Sequence, residues 1–177
     1  MTAVIIAVLG IAVGVSFVTD LMSRRILNII TFPAILSGFV LHTVSSGMEG
    51  LLFSGAGFIV GFSLLLIPFL LGGMGAGDVK LMAAVGALMG TGFALSVFLF
   101  AGITGGIMAL YMMAKERGAF ISLQSSLYAV PLLRNTAGSF QALRSQAKKT
   151  TLPYGVAIAL GTVITFAGGL IGGVLPV

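Results

Sequence analysis

Residues 81–114 read LMAAVGALMGTGFALSVFLFAGITGGIMALYMMA, an uncharged run of 34 residues. About 20 apolar residues cross the ~30 Å hydrocarbon layer of a bilayer, so this run is too long for one ordinary span. Gly90-Thr91-Gly92 offers a turn inside the run. We therefore predict a short helix near Asp78–Met89 and a second helix near Phe93–Ala114.

Four further charge-free runs complete the predicted fold. With the two halves of 81–114 they make an all-α polytopic membrane protein, a bundle of about six transmembrane helices forming a single domain over residues 1–177. The four runs are Met1–Thr19, Ile26–Met48, Gly50–Gly77 and Thr150–Val177.

The composition agrees with a membrane location and excludes several classes of protein. Of the 177 residues, 58% are hydrophobic and only 7% are charged, whereas soluble chains carry about 25% charged residues. A cytosolic enzyme is therefore excluded. The absence of cysteine excludes disulfides, thiolate metal sites and a cysteine nucleophile. The single histidine excludes a His-rich zinc site, and Met1–Thr19 lacks the basic start of a signal peptide.

The basic residues predict the orientation. With six spans, the loops 20–28, 73–80 and 115–151 share one side and hold all nine basic residues. A single span over 81–114 would instead leave three on one side and six on the other. The positive-inside rule therefore favours six spans, with both termini outside and the basic loops cytoplasmic. These residues are Arg24, Arg25, Lys80, Lys115, Arg117, Arg134, Arg144, Lys148 and Lys149.

The long cytoplasmic segment 115–151 carries its own prediction. Its part 118–133 is too polar and too short for a span, so we expect an interfacial or re-entrant helix there. Phe140, Leu143 and Ala147 then follow at helical spacing beside basic residues. This pattern indicates an amphipathic helix on anionic lipid, or a docking surface for a substrate or assembly partner. Because basic residues in membrane proteins mainly record orientation, the formal charge of +5 is not read as nucleic-acid binding.

Several pairs of small residues at spacing i, i+4 predict close packing of helix backbones within the chain or between chains. They are Gly10/Gly14, Gly57/Gly61, Gly86/Gly90, Gly102/Gly106 and Gly168/Gly172.

Two of the four acidic residues are candidates for a functional site. Glu49 falls in a short outer loop and Glu116 in the basic segment, where both are solvated. Asp20 and Asp78 instead lie where apolar runs meet the cytoplasmic face. Burying an ionisable group there is energetically costly, so its presence indicates a functional site. Four glycines within residues 72–77 provide a loop able to deliver Asp78 to the start of the short helix.

Two carboxylates without histidine or cysteine point to aspartyl proteolysis. If they lie about 3–7 Å apart, they share one proton: the charged group activates water and the neutral group donates to the peptide carbonyl. No metal or cofactor is required. Each aspartate could otherwise be a helix cap or an ion-pair partner of Arg24, Arg25 or Lys80. Two other functions stay open: a proton- or cation-coupled transporter, and a non-catalytic scaffold of a pilus or secretion machine.

Three ordered motifs resemble a known family. Gly75-Ala76-Gly77-Asp78 is similar to the GxGD motif of intramembrane aspartyl proteases, and GAGDVKL (75–81) to its prepilin-peptidase form. DLMSRRILN (20–28) resembles the segment of the first catalytic aspartate, and Pro153-Tyr154-Gly155 the family's C-terminal Pro-Tyr-Gly. The chain thus resembles type IV prepilin peptidases, and its size suggests the CpaA/TadV-like branch that serves Tad (Flp) pili.

The resemblance implies an aspartic endopeptidase that removes the short basic leader of a prepilin or pseudopilin precursor at the cytoplasmic face. It makes Asp20 and Asp78 the catalytic pair, with Gly75 and Gly77 shaping the loop. The cysteine-bearing N-terminal domain of larger members has no counterpart in the chain, so we expect no N-methyltransferase activity. Leu27 stands where the family has proline, which predicts a less rigid first loop.

The remaining candidate residues have weaker roles. Lys80 is either an electrostatic tuner of the pair or a lipid-phosphate contact. Arg24 and Arg25 are interpreted as topology determinants rather than as substrate contacts. Asn28 is interpreted mainly as the cap of the second helix. Separately, His42 is expected to pack or hydrogen-bond between helices, while Pro153 and Tyr154 set the entry of the last helix.

Overall fold

A computed structural model describes residues 1–71, 73–115 and 153–172 of the chain, and all regular structure within these ranges is helical. Most of the predicted amphipathic segment 115–151 lies outside the described residues. The four helices are α1 (Thr2–Ser23), α2 (Asn28–Leu70), α3 (Ala76–Lys115) and α4 (Tyr154–Gly172).

The helices have the length and composition of membrane spans. Thr2–Ser23, Asn28–Leu70 and Ala76–Tyr111 are each long and apolar enough to cross a bilayer, and Tyr154–Gly169 is a shorter apolar helix. The prediction of an all-α membrane protein is confirmed at this level. The number of crossings and the side of the termini stay predictions.

Gly47 breaks α2 into two halves that fold back on each other. Its backbone has φ 60° and ψ −131°, a conformation that favours glycine. The rings of His42 and Phe53 lie 4.9 Å apart across the break, and those of Phe39 and Phe58 lie 5.8 Å apart. Because these pairs are nested around Gly47, the two halves of α2 are antiparallel.

Gly90 breaks α3, within the Gly90-Thr91-Gly92 turn expected from the sequence. It has φ 80° and ψ 179°. Beyond the break, a Cβ on Gly161 of α4 would lie 2.8 Å from the backbone nitrogen of Ala101, and one on Gly105 would lie 3.1 Å from the ring of Tyr154. The second half of α3 therefore runs antiparallel to α4, back towards the residue at which α4 begins.

Two recurring contacts define the ends of the bundle. Ile26, between α1 and α2, contacts Gly77 at the start of α3 and Gly155 at the start of α4. The end of α1 and the starts of the other three helices thus meet at one end, called here the aspartate end because it holds Asp20 and Asp78. The breaks at Gly47 and Gly90 lie at the opposite end, where the Phe53 ring packs on Gly90.

The first half of α3 occupies the centre of the bundle. Every residue from 81 to 90 is buried, as expected of a helix enclosed on all sides by other helices. Ala76–Met89 is about 21 Å long at 1.5 Å per residue. Asp78 therefore lies in the first turn of a short helix that is enclosed from residue 81 onward.

Glycines allow this central helix to be enclosed tightly, but only some of the predicted pairs take part. A Cβ on Gly57 would collide with the carbonyl of Gly86, and one on Gly61 with the carbonyl of Met82. The prediction of close packing is confirmed there. Within the described part of the chain, a Cβ would meet no other atom within 4 Å at Gly10, Gly14, Gly102, Gly106 or Gly168.

Side chains of α2 satisfy the last carbonyls of the central helix before the break. His42 Nε2 lies 2.9 Å from the Leu88 carbonyl oxygen, and Ser54 Oγ donates to the Ala87 carbonyl at 2.8 Å. Both carbonyls belong to the last turn before the break at Gly90, where side-chain donors commonly supplement or replace helical ones. The expectation of an interhelical hydrogen bond from His42 is confirmed.

Candidate active site

Asp20 lies inside the last turn of α1. The helix continues to Ser23, beyond the expected end at Thr19, because the Arg24 N–H donates to the Asp20 carbonyl oxygen at 2.8 Å. Arg24 ends the helix in the left-handed region, with φ 50° and ψ 38°. The carboxyl group of Asp20 thereby sits on a rigid helix, and the residue is only 4% exposed.

The start of α4 holds the Asp20 carboxylate. The Val156 N–H donates to Asp20 Oδ2 at 3.2 Å. Backbone N–H groups in the first turn of a helix lack a full set of helical acceptors, so a carboxylate there is well placed to accept from them. A Cβ on Gly155 would lie 2.9 Å from Asp20 Oδ2. Only glycine at 155 lets the carboxylate come this close.

Asp78 reaches back to the loop that delivers it. The Gly75 N–H donates to Asp78 Oδ2 at 2.9 Å, and the Asp78 N–H donates to the Gly75 carbonyl at 3.2 Å. The bond from the Gly75 N–H to the Asp78 side chain is one half of a capping box at the start of α3, and glycine has no side chain to supply the other half. The capping role considered for Asp78 is therefore real. This bond uses Oδ2 of the carboxylate.

Ile26 joins the two aspartate-bearing elements. A Cβ on Gly77 would lie 2.8 Å from Ile26 Cβ and 3.2 Å from its carbonyl oxygen, so the connection 24–27 packs directly on the backbone before Asp78. A Cβ on Gly155 would lie 2.9 Å from Ile26 Cδ1. The second glycine of the GxGD motif thus allows a close backbone approach. The sequence alone did not specify that Ile26 is the partner in this contact.

One cavity of about 380 Å³ contains both aspartates. Asp78 is 7% exposed. Of the residues predicted to belong to the site, the lining includes the two aspartates, Gly75, Gly77, Arg24, Arg25 and Asn28, but not Lys80. The lining is formed by Asp20, Asp78, Met74, residues 24–28 and residues 75–77.

Lys80 and Asn28 bind each other beside the cavity. Lys80 Nζ donates to Asn28 Oδ1 at 2.9 Å and lies 4.9 Å from the centroid of the Phe32 ring. Asn28 is the first residue of α2, with Leu27 in the capping position and no side-chain cap. The interpretation of Asn28 as the cap is therefore wrong: its side-chain oxygen accepts from lysine rather than from the helix.

Leu27 has φ −80° and ψ 129°, which is close to the backbone that proline imposes. The main chain therefore keeps an extended conformation at this position without the proline of the family pattern. Whether the loop is less rigid stays a prediction.

Sequence reasoning missed two contributors to the site, Gly155 with the adjacent Val156 N–H, and Ile26. The Pro153-Tyr154-Gly155 motif was the available signal, although it gave no partner. For cofactors, no group of three or more His, Cys, Asp or Glu side chains comes together within the described ranges, so no metal centre is assigned there.

Comparison with known proteins identifies the class to which this fold and site belong. Residues 6–110 match the type IV leader peptidase family. The chain therefore belongs to that family.

Among individual proteins, the chain is similar to the prepilin leader peptidase/N-methyltransferase of Bacillus subtilis (strain 168), with 28% identity over 189 aligned positions. The alignment covers 96% of this chain and 64% of that relative, so the chain spans just under two thirds of its relative's length. No solved structure matches the chain. The methyltransferase activity named for the relative leaves our expectation for this chain a prediction.

Proposed function

We propose that this protein is an aspartic endopeptidase that removes the short basic leader from prepilin-like precursors at the cytoplasmic face of the bacterial inner membrane. Asp20 and Asp78 are the catalytic pair. The observation that carries the proposal is that these two buried carboxylates, on different helices, line the same cavity. Membership of the type IV leader peptidase family supports the substrate class.

The reaction needs only the two carboxyl groups and a water molecule. The ionised carboxylate takes a proton from water, whose oxygen attacks the carbonyl carbon of the scissile peptide. The protonated carboxyl donates its proton to the carbonyl oxygen, giving a tetrahedral intermediate. A proton then passes to the peptide nitrogen, the C–N bond breaks, and the leader leaves with a free carboxyl group.

The hydrogen bonds around the two carboxyl groups support their roles as acid and base. Each carboxylate has one oxygen held by a backbone N–H, from Val156 for Asp20 and from Gly75 for Asp78. Hydrogen bonds of this kind fix the direction of the carboxyl groups, so little reorganisation is needed when water and substrate bind. Lys80 is engaged by Asn28 and Phe32, which favours an indirect influence on the pair over direct contact.

Further parts of the proposal concern partners and the biological system. The precursor is a prepilin or pseudopilin, and the small CpaA/TadV-like branch of Tad (Flp) systems is its proposed setting. The basic segment 115–151 is proposed to contact anionic lipid. The nine basic residues support a cytoplasmic position for the aspartate end.

The decisive experiment replaces each aspartate singly by asparagine. The two variants Asp20→Asn and Asp78→Asn are expressed with a tagged prepilin-type precursor, and leader removal is followed by the shift in precursor size. We expect each variant to lose cleavage by at least ~1,000-fold, because an amide neither takes a proton from water nor shares one.

Glu49→Gln is the matched control, since it makes the same carboxylate-to-amide change at an exposed position outside the cavity. It is expected to retain wild-type cleavage. Normal cleavage by either aspartate variant would refute the proposal. Loss of ion flux in vesicles on Asp20→Asn, with cleavage unaffected, would indicate the transporter instead. Full function of both asparagine variants without any cleavage would indicate the scaffold.

A further inference from the structure

We infer that Ile26 is a positioning residue that sets the separation of the two aspartates. It rests on the proposed function, because it names the side chain that holds the catalytic pair in register. Ile26 is half-buried and packs against the hydrophobic core at the aspartate end.

The contacts of Ile26 fall next to Asp78 itself and next to the residue whose N–H binds Asp20. Its Cβ and carbonyl oxygen face Gly77, which immediately precedes Asp78. Its Cδ1 faces Gly155, which immediately precedes the residue whose N–H binds Asp20. A displacement of Ile26 is thus transmitted to both carboxylates through one peptide unit on each side.

The two glycines make these contacts tight. With no Cβ on either glycine, the backbones of α3 and α4 come into close contact with one isoleucine from different directions. Side-chain volume at position 26 therefore sets how far apart the starts of α3 and α4 stand. Misplacing a catalytic group by 1 Å can lower a rate by about 100-fold.

Truncation at position 26 removes the two contacts in order. Ile26→Val deletes Cδ1, which faces Gly155, and keeps the Cβ that faces Gly77. Ile26→Ala also removes the γ carbons, so α4 loses its support while the Gly77 contact stays. Ile26→Leu restores δ carbons that can reach Gly155. The series therefore tests the contact to α4 in steps, with a conservative rescue.

The experiment measures kcat and KM for purified protein in detergent. The probe is a synthetic precursor with a short basic leader followed by an apolar segment. We expect kcat to fall about 3-fold for Ile26→Val and at least ~10-fold for Ile26→Ala, to recover in Ile26→Leu, and KM to change by less than about twofold.

Ile30→Val and Ile30→Ala are the matched controls, because Ile30 is also half-buried and packs on the same core but does not line the cavity. Their kcat should stay within about twofold of wild type. An equal fall in kcat at Ile30 would overturn the inference, since it would indicate general loosening. A rise in KM at unchanged kcat would also overturn it, since Ile26 would then contact substrate.

Asp20→Asn in the same assay distinguishes failure of the proposed function from failure of the proposed role of Ile26. If this variant cleaves normally, the proposed function fails whatever position 26 shows. If it is inactive while Ile26→Ala keeps wild-type kcat, only the role of Ile26 fails.

Discussion

At Gly155 a single hydrogen atom stands where any other residue would place a carbon. That carbon would lie 2.9 Å from Asp20 Oδ2 and 2.9 Å from Ile26 Cδ1. Real Cβ atoms do not sit this close to their neighbours, so both contacts must be relieved. We expect the Asp20 carboxylate to move away from the Val156 N–H as a result.

Gly155→Ala is therefore predicted to lower the rate of leader removal by at least ~10-fold, through loss of the Asp20 hydrogen bond. The measurement is kcat on the prepilin-type precursor. Gly168→Ala is the matched control in the same helix, because a Cβ there would meet no other atom within 4 Å. The prediction is wrong if Gly155→Ala and Gly168→Ala have the same rate.

The sequence allowed the prediction of the two aspartates but not of their partners. An ionisable residue at the edge of an apolar run is conspicuous because burying it is costly. The Val156 N–H that binds Asp20 lies 136 positions away in the sequence. Residue type does not reveal which backbone N–H will act as such a donor. Asn28 failed as a predicted cap because its oxygen accepts from Lys80, a contact across 52 positions.

Among the elements, the central half-helix from Ala76 to Met89 depends on glycine contacts with α2. The Gly57 and Gly86 backbones touch, and Gly61 lies against the Met82 carbonyl. Apolar side chains gain little from leaving lipid, so close packing of this kind holds membrane helices together. The stability of the helix that carries Asp78 is therefore set by glycines distant from the active site.

Gly57→Ala is expected to destabilise the protein by about 1–3 kcal/mol, because the added methyl collides with the Gly86 carbonyl. Thermal or denaturant unfolding in detergent measures this change. At Gly55, two residues earlier, a Cβ would lie 3.8 Å from the Phe39 ring, which is an ordinary contact. Gly55→Ala should therefore unfold like the wild type, and equal losses for both variants would contradict this account.

A helix boundary was predictable where an apolar run was too long for a single span. A run of 34 uncharged residues is too long for one span, which directed attention to the glycines at which α3 does break. The predicted end of α1 falls four residues short and the predicted start of α3 two residues late, because both were placed at an aspartate. A helix continues for as long as its backbone hydrogen bonds do, and those extend past Asp20.

For the molecule as a whole, the contacts sort the chain into two ends. Arg24, Arg25 and Lys80 lie at the aspartate end, with the cavity. Gly47 and Gly90 lie at the other, where Phe53 packs on Gly90. These three basic residues thus lie at the end of the bundle opposite to the two turns. The positive-inside rule requires this arrangement if the aspartate end is cytoplasmic.

Because the chain contains no cysteine, single cysteines can report this orientation without removing others. Ser23→Cys lies at the aspartate end, and Ser46→Cys beside the Gly47 break; both positions are exposed. A membrane-impermeant maleimide should label Ser46→Cys in right-side-out vesicles and Ser23→Cys in inside-out vesicles. Thr91→Cys, beside the Gly90 break, should label with Ser46→Cys.

These three positions separate the possible topologies. The reverse pattern of labelling would put the aspartate end outside and contradict cleavage at the cytoplasmic face. Labelling of Ser23→Cys and Ser46→Cys from one side would mean that the segment between them does not cross the membrane. If Thr91→Cys resists the reagent from both sides while the other two label as expected, residues 81–114 are a single crossing. The basic residues would then divide between the two faces, and the charge argument for a cytoplasmic active site would fail.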